Sequence, residues 1–247
     1  MKYGIITVAG MSERFNKGYD NPILKCIYYE QDEKKTLLYS ILKKCKGLDK
    51  VIIVGGYQYE KLVEYIDKYK EHFEFGIQLV FNSEYQHYGS GYSLYCGLKV
   101  CYEEDDCSEI IFIEGDLYFD EETFEQIKKS NQDVITVNCE PICSNKSVAL
   151  YINEDNKIKY IYNTHHGLFR ISESFSEIYN SGQVWKLKNN NLFRMTFSEL
   201  DELGWQSTNL IFLEKYFNCI DHGKIVFMFF KKWTNCNTRK DYSELKD

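Results

Sequence analysis

The residues best placed to do chemistry stand where the first apolar strand ends. The predicted strand Gly4–Ala9 runs into a turn of small residues, and a basic residue, Arg14, follows shortly after Gly10. A loop without bulky side chains lets backbone N–H groups approach an anion, and a guanidinium beside it can bond two phosphate oxygens at once. The spacing is neither the Walker pattern nor the dinucleotide-binding glycine pattern. It predicts a phosphate-binding loop, with an ordinary strand-to-helix turn as the alternative.

A carboxylate stands at the exit of another predicted strand. The sequence Ile113-Glu114-Gly115-Asp116 places Asp116 directly after a buried apolar run, behind a glycine. A carboxylate at the carboxyl edge of a sheet is a typical oxygen ligand for a hard cation such as Mg²⁺. An aspartate that closes a turn is the alternative reading of the same residue.

The third candidate segment, Trp233–Tyr242, follows the last predicted strand. Its Asn237-Thr238 pair is typical of a helix N-cap, which needs no metal.

Bulk composition excludes several classes of protein. The chain has 247 residues with 44% apolar content, enough for one sizeable core, and no run of about 20 apolar residues that would span a bilayer. The net charge of −7 argues against a nucleic-acid polymer as partner. Nine scattered cysteines without C-x-x-C pairs predict neither a disulfide framework nor a zinc site. We therefore expect a cytoplasmic protein with no membrane insertion.

Strands and helices alternate through the first half of the chain, which predicts a mostly parallel sheet covered on both faces. Ligands of such a sheet gather at the carboxyl ends of its strands. After Gly4–Ala9 the predicted elements are a helix at Thr36–Lys46, a strand at Lys50–Gly55, a helix at Tyr59–Tyr69, a strand at Gly76–Asn82, a helix at Ser90–Cys101 and a strand at Glu109–Glu114.

The second half has shorter predicted strands separated by Asn, Asp and Ser turns. We expect one domain over 1–247, with a nucleotide-binding core at 1–130, an acceptor or lid half at 131–225, and a closing strand and helix at 226–247. The predicted elements are strands at Asp133–Asn138, Ser147–Ile152, Lys157–Tyr162 and Gln183–Leu187, a largely helical stretch at Phe197–Phe217 and a last strand at Lys224–Trp233.

These motifs, in this order, resemble those of the nucleotidyltransferases. The segment Val8–Arg14 is similar to their Ala-Ala-Gly-x-Gly-x-Arg loop, and Gly115-Asp116 is similar to their magnesium-binding pair. The stretch from Asn82 to Tyr92-Ser93-Leu94 resembles the bacterial phosphocholine cytidylyltransferases in particular. The resemblance implies a three-layer α/β/α sandwich with a mostly parallel central sheet, of the nucleotide-diphospho-sugar-transferase type.

The resemblance also implies roles for individual residues. Mg²⁺ is expected on Asp116 and Asn237, and the phosphates on Arg14 and Lys25. Lys25 stands two residues later than the family lysine, so Lys17 is an alternative, and Ser12 replaces a family glycine. The residues expected to bind the nucleotide are Val8, Ala9, Gly10, Met11, Ser12, Glu13, Gly55, Asn82, Gly89 and Ser90.

The acceptor is expected to meet aromatic faces, which attract an ammonium group through cation–π interaction. Trp185 is the favoured aromatic, because Ser181–Trp185 matches a strand of the cytidylyltransferases. The remaining expected acceptor residues are Tyr92, Tyr118, Trp205 and His166.

The implied reaction transfers CMP from CTP to a small phosphorylated acceptor, phosphocholine-like, another phospho-alcohol or amine, or a phosphonate, with release of pyrophosphate. The implied setting is the decoration of a surface polysaccharide or lipid. A sugar-1-phosphate nucleotidyltransferase using UTP, GTP or CTP and a nucleotide-binding regulatory protein without turnover are the alternatives. A homodimer is left open.

Overall fold

A computed structural model describes residues 1–144, 147–161 and 168–245. Its first half alternates strands and helices as the sequence pattern predicts. Thr36 caps the second helix, because its hydroxyl oxygen accepts a hydrogen bond from Tyr39 N at 3.1 Å. The elements are β1 (Lys2–Thr7), α1 (Glu13–Asn16), α2 (Leu37–Lys44), β2 (Lys50–Gly55), α3 (Tyr59–Tyr69), β3 (Gly76–Phe81), α4 (Ser90–Glu103), β4 (Glu109–Glu114), β5 (Leu117–Phe119) and α5 (Glu121–Lys129).

The second half differs from expectation in three places. The expected strand Gln183–Leu187 is the end of a longer strand, and the helical stretch is three short helices with capped N-termini. The last expected strand is two separate strands. The elements are β6 (Asp133–Asn138), β7 (Ala149–Asn153), β8 (Ile158–Ile161), β9 (Phe175–Lys188), α6 (Asn191–Glu199), α7 (Glu202–Gln206), α8 (Asn209–Phe217), β10 (Ile225–Phe230), β11 (Trp233–Asn235) and α9 (Arg239–Ser243).

The main sheet has the strand order β10-β6-β9-β4-β1-β2-β3, and β7 and β8 extend from β9. All neighbours along this order pair in parallel except β9, which is antiparallel to both β4 and β6. The expectation of a mostly parallel central sheet is confirmed. Because β1 and β4 are adjacent and parallel, their carboxyl ends lie side by side, with Thr7 opposite Glu114.

Both faces of the sheet are buried, which explains why its strands are continuous apolar runs. Ile5 and Phe112 belong to the core that packs under α4 and α8, whereas Ile6 and Ile113 belong to the core under α2 and α3. The result is a sheet between two helical layers. Within the described residues, no helix is long and apolar enough to cross a bilayer.

A small second sheet lies at the carboxyl edge of the main one. In it, β11 pairs antiparallel with β5, and Asn235 stands opposite Leu117. This ribbon brings the closing segment of the chain beside the exit of β4. The sequence pattern did not predict it, because each strand has only three residues.

Candidate functional site

The loop after β1 lies open at the carboxyl edge of the sheet. Val8 N donates to Val54 O at 2.8 Å, and Tyr57 N donates to Ala9 O at 3.1 Å, so the exit of β2 holds the loop in place. Gly10 is exposed, and no other atom lies within 4 Å of the position that a Cβ would occupy there. The backbone at Gly10 can therefore approach a ligand closely.

Ser12 has the left-handed backbone conformation that glycine adopts easily, with φ 57° and ψ 32°. Its hydroxyl oxygen accepts a hydrogen bond from Lys25 N at 3.3 Å. The serine thus has a conformation that suits glycine and adds a side-chain contact that a glycine lacks. That contact fixes the backbone of the cationic residue.

Lys25 and Asp116 form an ion pair at the exits of β1 and β4. Lys25 Nζ lies 2.8 Å from Asp116 Oδ2, and both side chains are largely buried. Lys17, the alternative lysine, is exposed and lines neither of the two cavities described below. Of the two lysines, the structure therefore brings Lys25 to the carboxylate.

Asn237 is adjacent to Asp116 because of the β5–β11 ribbon. Cys236 N donates to Asp116 O at 2.8 Å, so the two segments are in direct backbone contact. Asp116 Oδ1 and Asn237 Oδ1 are both buried, and neither has a hydrogen-bond partner in the structure. Buried polar atoms are seldom left unpaired, so two such oxygens on neighbouring segments indicate a missing ligand.

The two oxygens fit Mg²⁺. This ion is commonly bound by one or two protein side chains, with water and substrate phosphates completing its shell. No group of three His, Cys, Asp or Glu side chains suited to a metal occurs among the described residues, so a site built wholly from such ligands does not arise there. A metal shared with a phosphate ligand is the arrangement that these residues can support.

Two cavities adjoin at this point. Asp116 and Lys25 line the first, of about 260 Å³, together with the β1 loop and the start of α4. Asn237 and Arg14 line the second, of about 820 Å³, together with the β11 segment. Because Cys236 bonds to Asp116, these cavities are neighbours along one edge of the sheet.

Glu114 is a cavity residue that the sequence analysis did not select. It lines the first cavity, and its Oε1 accepts a hydrogen bond from Asn209 Nδ2 at 2.8 Å. Burial and then the charge of Asp116 raise the pKa of Glu114 to about 7, against the opposing effects of Asn209 and Lys25. Its place at the end of β4, two residues before Asp116, was the signal in the sequence that could have identified it.

The structure brings most of the predicted polar residues to this edge but leaves four elsewhere. Met11 and Glu13 are exposed and line neither cavity. Gly55 is buried against Leu62, and Asn82 is buried and bonds to Ser93 Oγ. These four residues lie outside the two cavities, and their contact with the nucleotide stays a prediction. The predicted residues that line the first cavity are Val8, Ala9, Gly10, Ser12, Lys25, Gly89, Ser90 and Asp116, and those that line the second are Arg14, Tyr118 and Asn237.

Two of the aromatic predictions are corrected by burial. Trp185 is 0% exposed, with its ring centroid 5.2 Å from that of Phe112, so no face of the indole is open to an acceptor. Trp205 is 6% exposed and packs among the rings of the α4–α8 side of the core. Both were expected at the site because aromatic side chains occur in hydrophobic cores as well as in binding sites, and the sequence alone does not separate the two.

The other aromatic predictions have different outcomes. Tyr92 packs edge-on against Tyr88, whose ring centroid is 5.2 Å away, and lines neither cavity. His166 lies outside the described residues. The structure instead adds Trp233, beside Tyr118 in the second cavity.

The fold is shared with nucleotidyltransferases, as comparison with solved structures shows. An inositol-1-phosphate CTP transferase from T. maritima is 15% identical and superposes with a TM-score of 0.68 over 98% of this chain and 91% of that one. The CTP:phosphocholine cytidylyltransferase from Streptococcus pneumoniae is 17% identical, with a TM-score of 0.63 over 98% and 96%. A UDP-glucose pyrophosphorylase, solved with UDP-glucose, is 14% identical, with a TM-score of 0.71 over 99% and 96%.

By sequence, the chain belongs to the family described as a domain of unknown function, DUF6564, which matches residues 21–247. No curated protein sequence matches the chain. The sequence resemblance to the nucleotidyltransferases is confirmed at the level of the fold.

Proposed function

We propose that this protein is a Mg²⁺-dependent nucleotidyltransferase. The observation that carries the proposal is the meeting of three separate segments at one edge of the sheet. The open β1 loop, the Lys25–Asp116 pair and the Asn237 segment surround two adjoining cavities. A site for a triphosphate needs backbone N–H groups, a cation and metal-binding oxygens close together, and these segments supply all three.

The chain's own groups would act by position and charge. The backbone of Val8–Gly10 would bind phosphate oxygens, with Lys25 on the same side and Arg14 on the side of the second cavity. An oxygen of the acceptor phosphate would attack the α-phosphorus in line, forming a new P–O bond as the bond to the pyrophosphate oxygen breaks. Bound through Asp116 and Asn237, Mg²⁺ would offset the negative charge of the phosphates.

We assign CTP as the favoured nucleotide and the second cavity to the acceptor. Tyr118 and Trp233 offer aromatic surface there, and Glu140 offers a negative charge. Aromatic faces with a nearby carboxylate suit the ammonium of a phosphocholine-like acceptor. Decoration of a surface polysaccharide or lipid is the setting that such a product would serve.

Pyrophosphate release tests the proposal. The purified protein is incubated with each of CTP, UTP, GTP and TTP against phosphocholine, phosphoethanolamine, a phosphonate and sugar 1-phosphates, with Mg²⁺ and with EDTA. We expect release with CTP and a phospho-alcohol acceptor, and none in EDTA. Release of pyrophosphate only with a sugar 1-phosphate would show that the acceptor is a sugar phosphate and not a phospho-alcohol. Mg²⁺-dependent CTP binding without any release would support the regulatory alternative.

The Asp116→Ala substitution tests the metal assignment. We expect pyrophosphate release to fall by at least about 100-fold, as losses of key charge-stabilising groups do. Asp105→Ala is the matched control, because the Asp105 side chain is fully exposed and its contact with Arg194 is 3.7 Å long. Thermal unfolding of both variants checks the fold. Wild-type activity in Asp116→Ala would remove Asp116 from the proposed site.

A further inference from the structure

Ser90, which the sequence predicts to bind the nucleotide, has its hydroxyl bonded within the protein. Its hydroxyl donates to Asn209 Oδ1 at 3.2 Å and accepts from Asn209 N at 3.2 Å. Neighbouring backbone contacts strengthen this attachment, because Gly89 N donates to Gln206 O at 2.7 Å. The Ser90 hydroxyl is therefore engaged in holding the start of α4 against the start of α8. Another group in the first cavity must read the edge of a base.

Glu114 has an unused acceptor in the same cavity. Oε1 accepts the hydrogen bond from Asn209, and Oε2 has no hydrogen-bond partner among the residues that the structure describes. Oε2 retains some accessible surface, and Glu114 lines the first cavity, so this oxygen can be reached by a ligand there. The side chain is fixed at one oxygen and available at the other.

The charge of this group restricts what it would accept. In its ionised form this carboxyl group repels phosphate oxygens, so Oε2 suits an uncharged donor of the nucleotide, either an amino group of the base or a ribose hydroxyl, and a hydrogen bond from such a donor favours the ionised form. The cavity wall beside it supplies base-sized surface, with the rings of Tyr85 and Tyr88 and the open backbone of Gly89. Aromatic rings of this kind stack with bases.

Ser93 supplies the complementary donor. Its oxygen accepts from Asn82 Nδ2 at 2.9 Å, and its hydroxyl hydrogen has no acceptor among the described residues. Ser93 and Glu114 both line the first cavity. One donor and one acceptor match cytosine, which presents acceptors at O2 and N3 and a donor at its 4-amino group. Uracil presents a carbonyl oxygen where cytosine has the amino group, and that oxygen would face the carboxylate.

We infer that Glu114 selects the base of the nucleotide, accepting a hydrogen bond from the cytosine 4-amino group while Asn209 and Ser90 hold its carboxylate in position. The inference rests on the proposed function, because it assumes that a nucleotide occupies the first cavity. Proteins recognise cytosine in nucleic acids by the same contact, in which an Asp or Glu carboxylate accepts a hydrogen bond from the 4-amino group. Glu114 would thus differ in role from Asp116, which the proposed function assigns to Mg²⁺.

The test compares the binding of CTP and UTP, whose bases differ at positions 3 and 4: cytosine has an acceptor N3 and a 4-amino group, whereas uracil has a donor N3–H and a 4-carbonyl group. Dissociation constants are measured calorimetrically with Mg²⁺ for the wild type, Glu114→Gln and the control Glu103→Gln, which lies exposed at the far end of α4. We expect the wild type and the control to favour CTP by about 10-fold or more, the usual discrimination of one specific base contact. In Glu114→Gln the preference should fall below about 3-fold, because an amide can donate as well as accept.

Four outcomes decide the inference. An unchanged CTP preference in Glu114→Gln, or an equal loss for both nucleotides, would overturn it, and the equal loss would indicate a ribose or purely positioning role. A wild-type preference for UTP would overturn it too. Absence of any nucleotide binding by the wild type would instead defeat the proposed function itself. If Glu114→Gln fails to fold, Glu114→Asp takes its place, with weakened CTP binding and unchanged UTP binding expected because the carboxylate is withdrawn by one methylene.

Discussion

Replacing Gly115 by alanine should separate the two strand exits that form the site. Gly115 N donates to Thr7 O at 3.0 Å, so the exits of β1 and β4 are in close contact here. A Cβ at position 115 would lie 2.8 Å from Thr7 O and closer still to Val8 Cγ1. Neither neighbour can rotate away easily, because one is backbone and the other is a branched side chain in the core.

The size of the effect follows from this overlap. Overpacking a tight site costs about 1–3 kcal/mol, and the backbone contact places this case in the upper half of the range. For a chain of this length, each kcal/mol lowers the melting temperature by about 2–4 °C. We therefore expect Gly115→Ala to melt about 4–12 °C below the wild type in thermal unfolding. Affinity for CTP with Mg²⁺ should fall as well, because Val8 lines the first cavity.

Gly76→Ala is the matched control for this substitution. Gly76 begins β3, and the nearest atom to a Cβ there is Asp49 O at 3.8 Å, an ordinary contact distance. Its melting temperature should equal or slightly exceed that of the wild type, since alanine restricts the unfolded chain. If the two variants melt within about 1 °C of each other, the argument from close approach at Gly115 is wrong.

Two further predictions concern charge. Asn237→Asp should lower the Mg²⁺ concentration for half-maximal activity several-fold, because a second carboxylate would join Asp116 at the cation, and a Mg²⁺ titration of pyrophosphate release measures this. The pKa of Glu104 is lowered, first by Lys50, whose Nζ lies 2.7 Å from both carboxyl oxygens, and then by the Tyr3 hydroxyl. The stability that the charged Glu104 contributes is fully present above the ordinary glutamate pKa of about 4.3. It is lost as the pH falls through the lower pKa of the folded state. Glu104→Gln should therefore cost about 1 kcal/mol in urea unfolding at pH 7 and almost nothing at pH 3, and a constant cost at both pH values would contradict the assignment.

The sequence predicted the first half of the fold closely because its strands and helices carry strong periodic patterns. The bounds of β2, α3 and β4 agree residue for residue with expectation. In the second half, β9 was recognised only in part. Its first residues are exposed, and Gln183 has a positive φ of 56° within the strand. Burial on both faces, which makes a strand visible in the sequence, begins only at Asn180, the sixth of its 14 residues.

The site residues that the sequence could predict are those whose chemical type and place directly after a strand indicate the same role. Asp116 and the β1 loop follow apolar strands directly, so topology alone places them at one edge. The position of Lys25 depends on the path of an irregular loop, and that of Asn237 on a three-residue ribbon. The tryptophans were misassigned because their burial is decided by packing across the sheet. Glu114 was passed over although it stands beside Asp116 in the sequence.

The ribbon of β5 and β11 also constrains how the protein is made. Leu117 and Asn235 are partners although more than a hundred residues separate them along the chain. During synthesis, the aspartate side of the pocket leaves the ribosome long before the asparagine side. The exit of β4 is therefore synthesised without its partner strand, and the proposed cation site can be complete only after residue 237 has emerged.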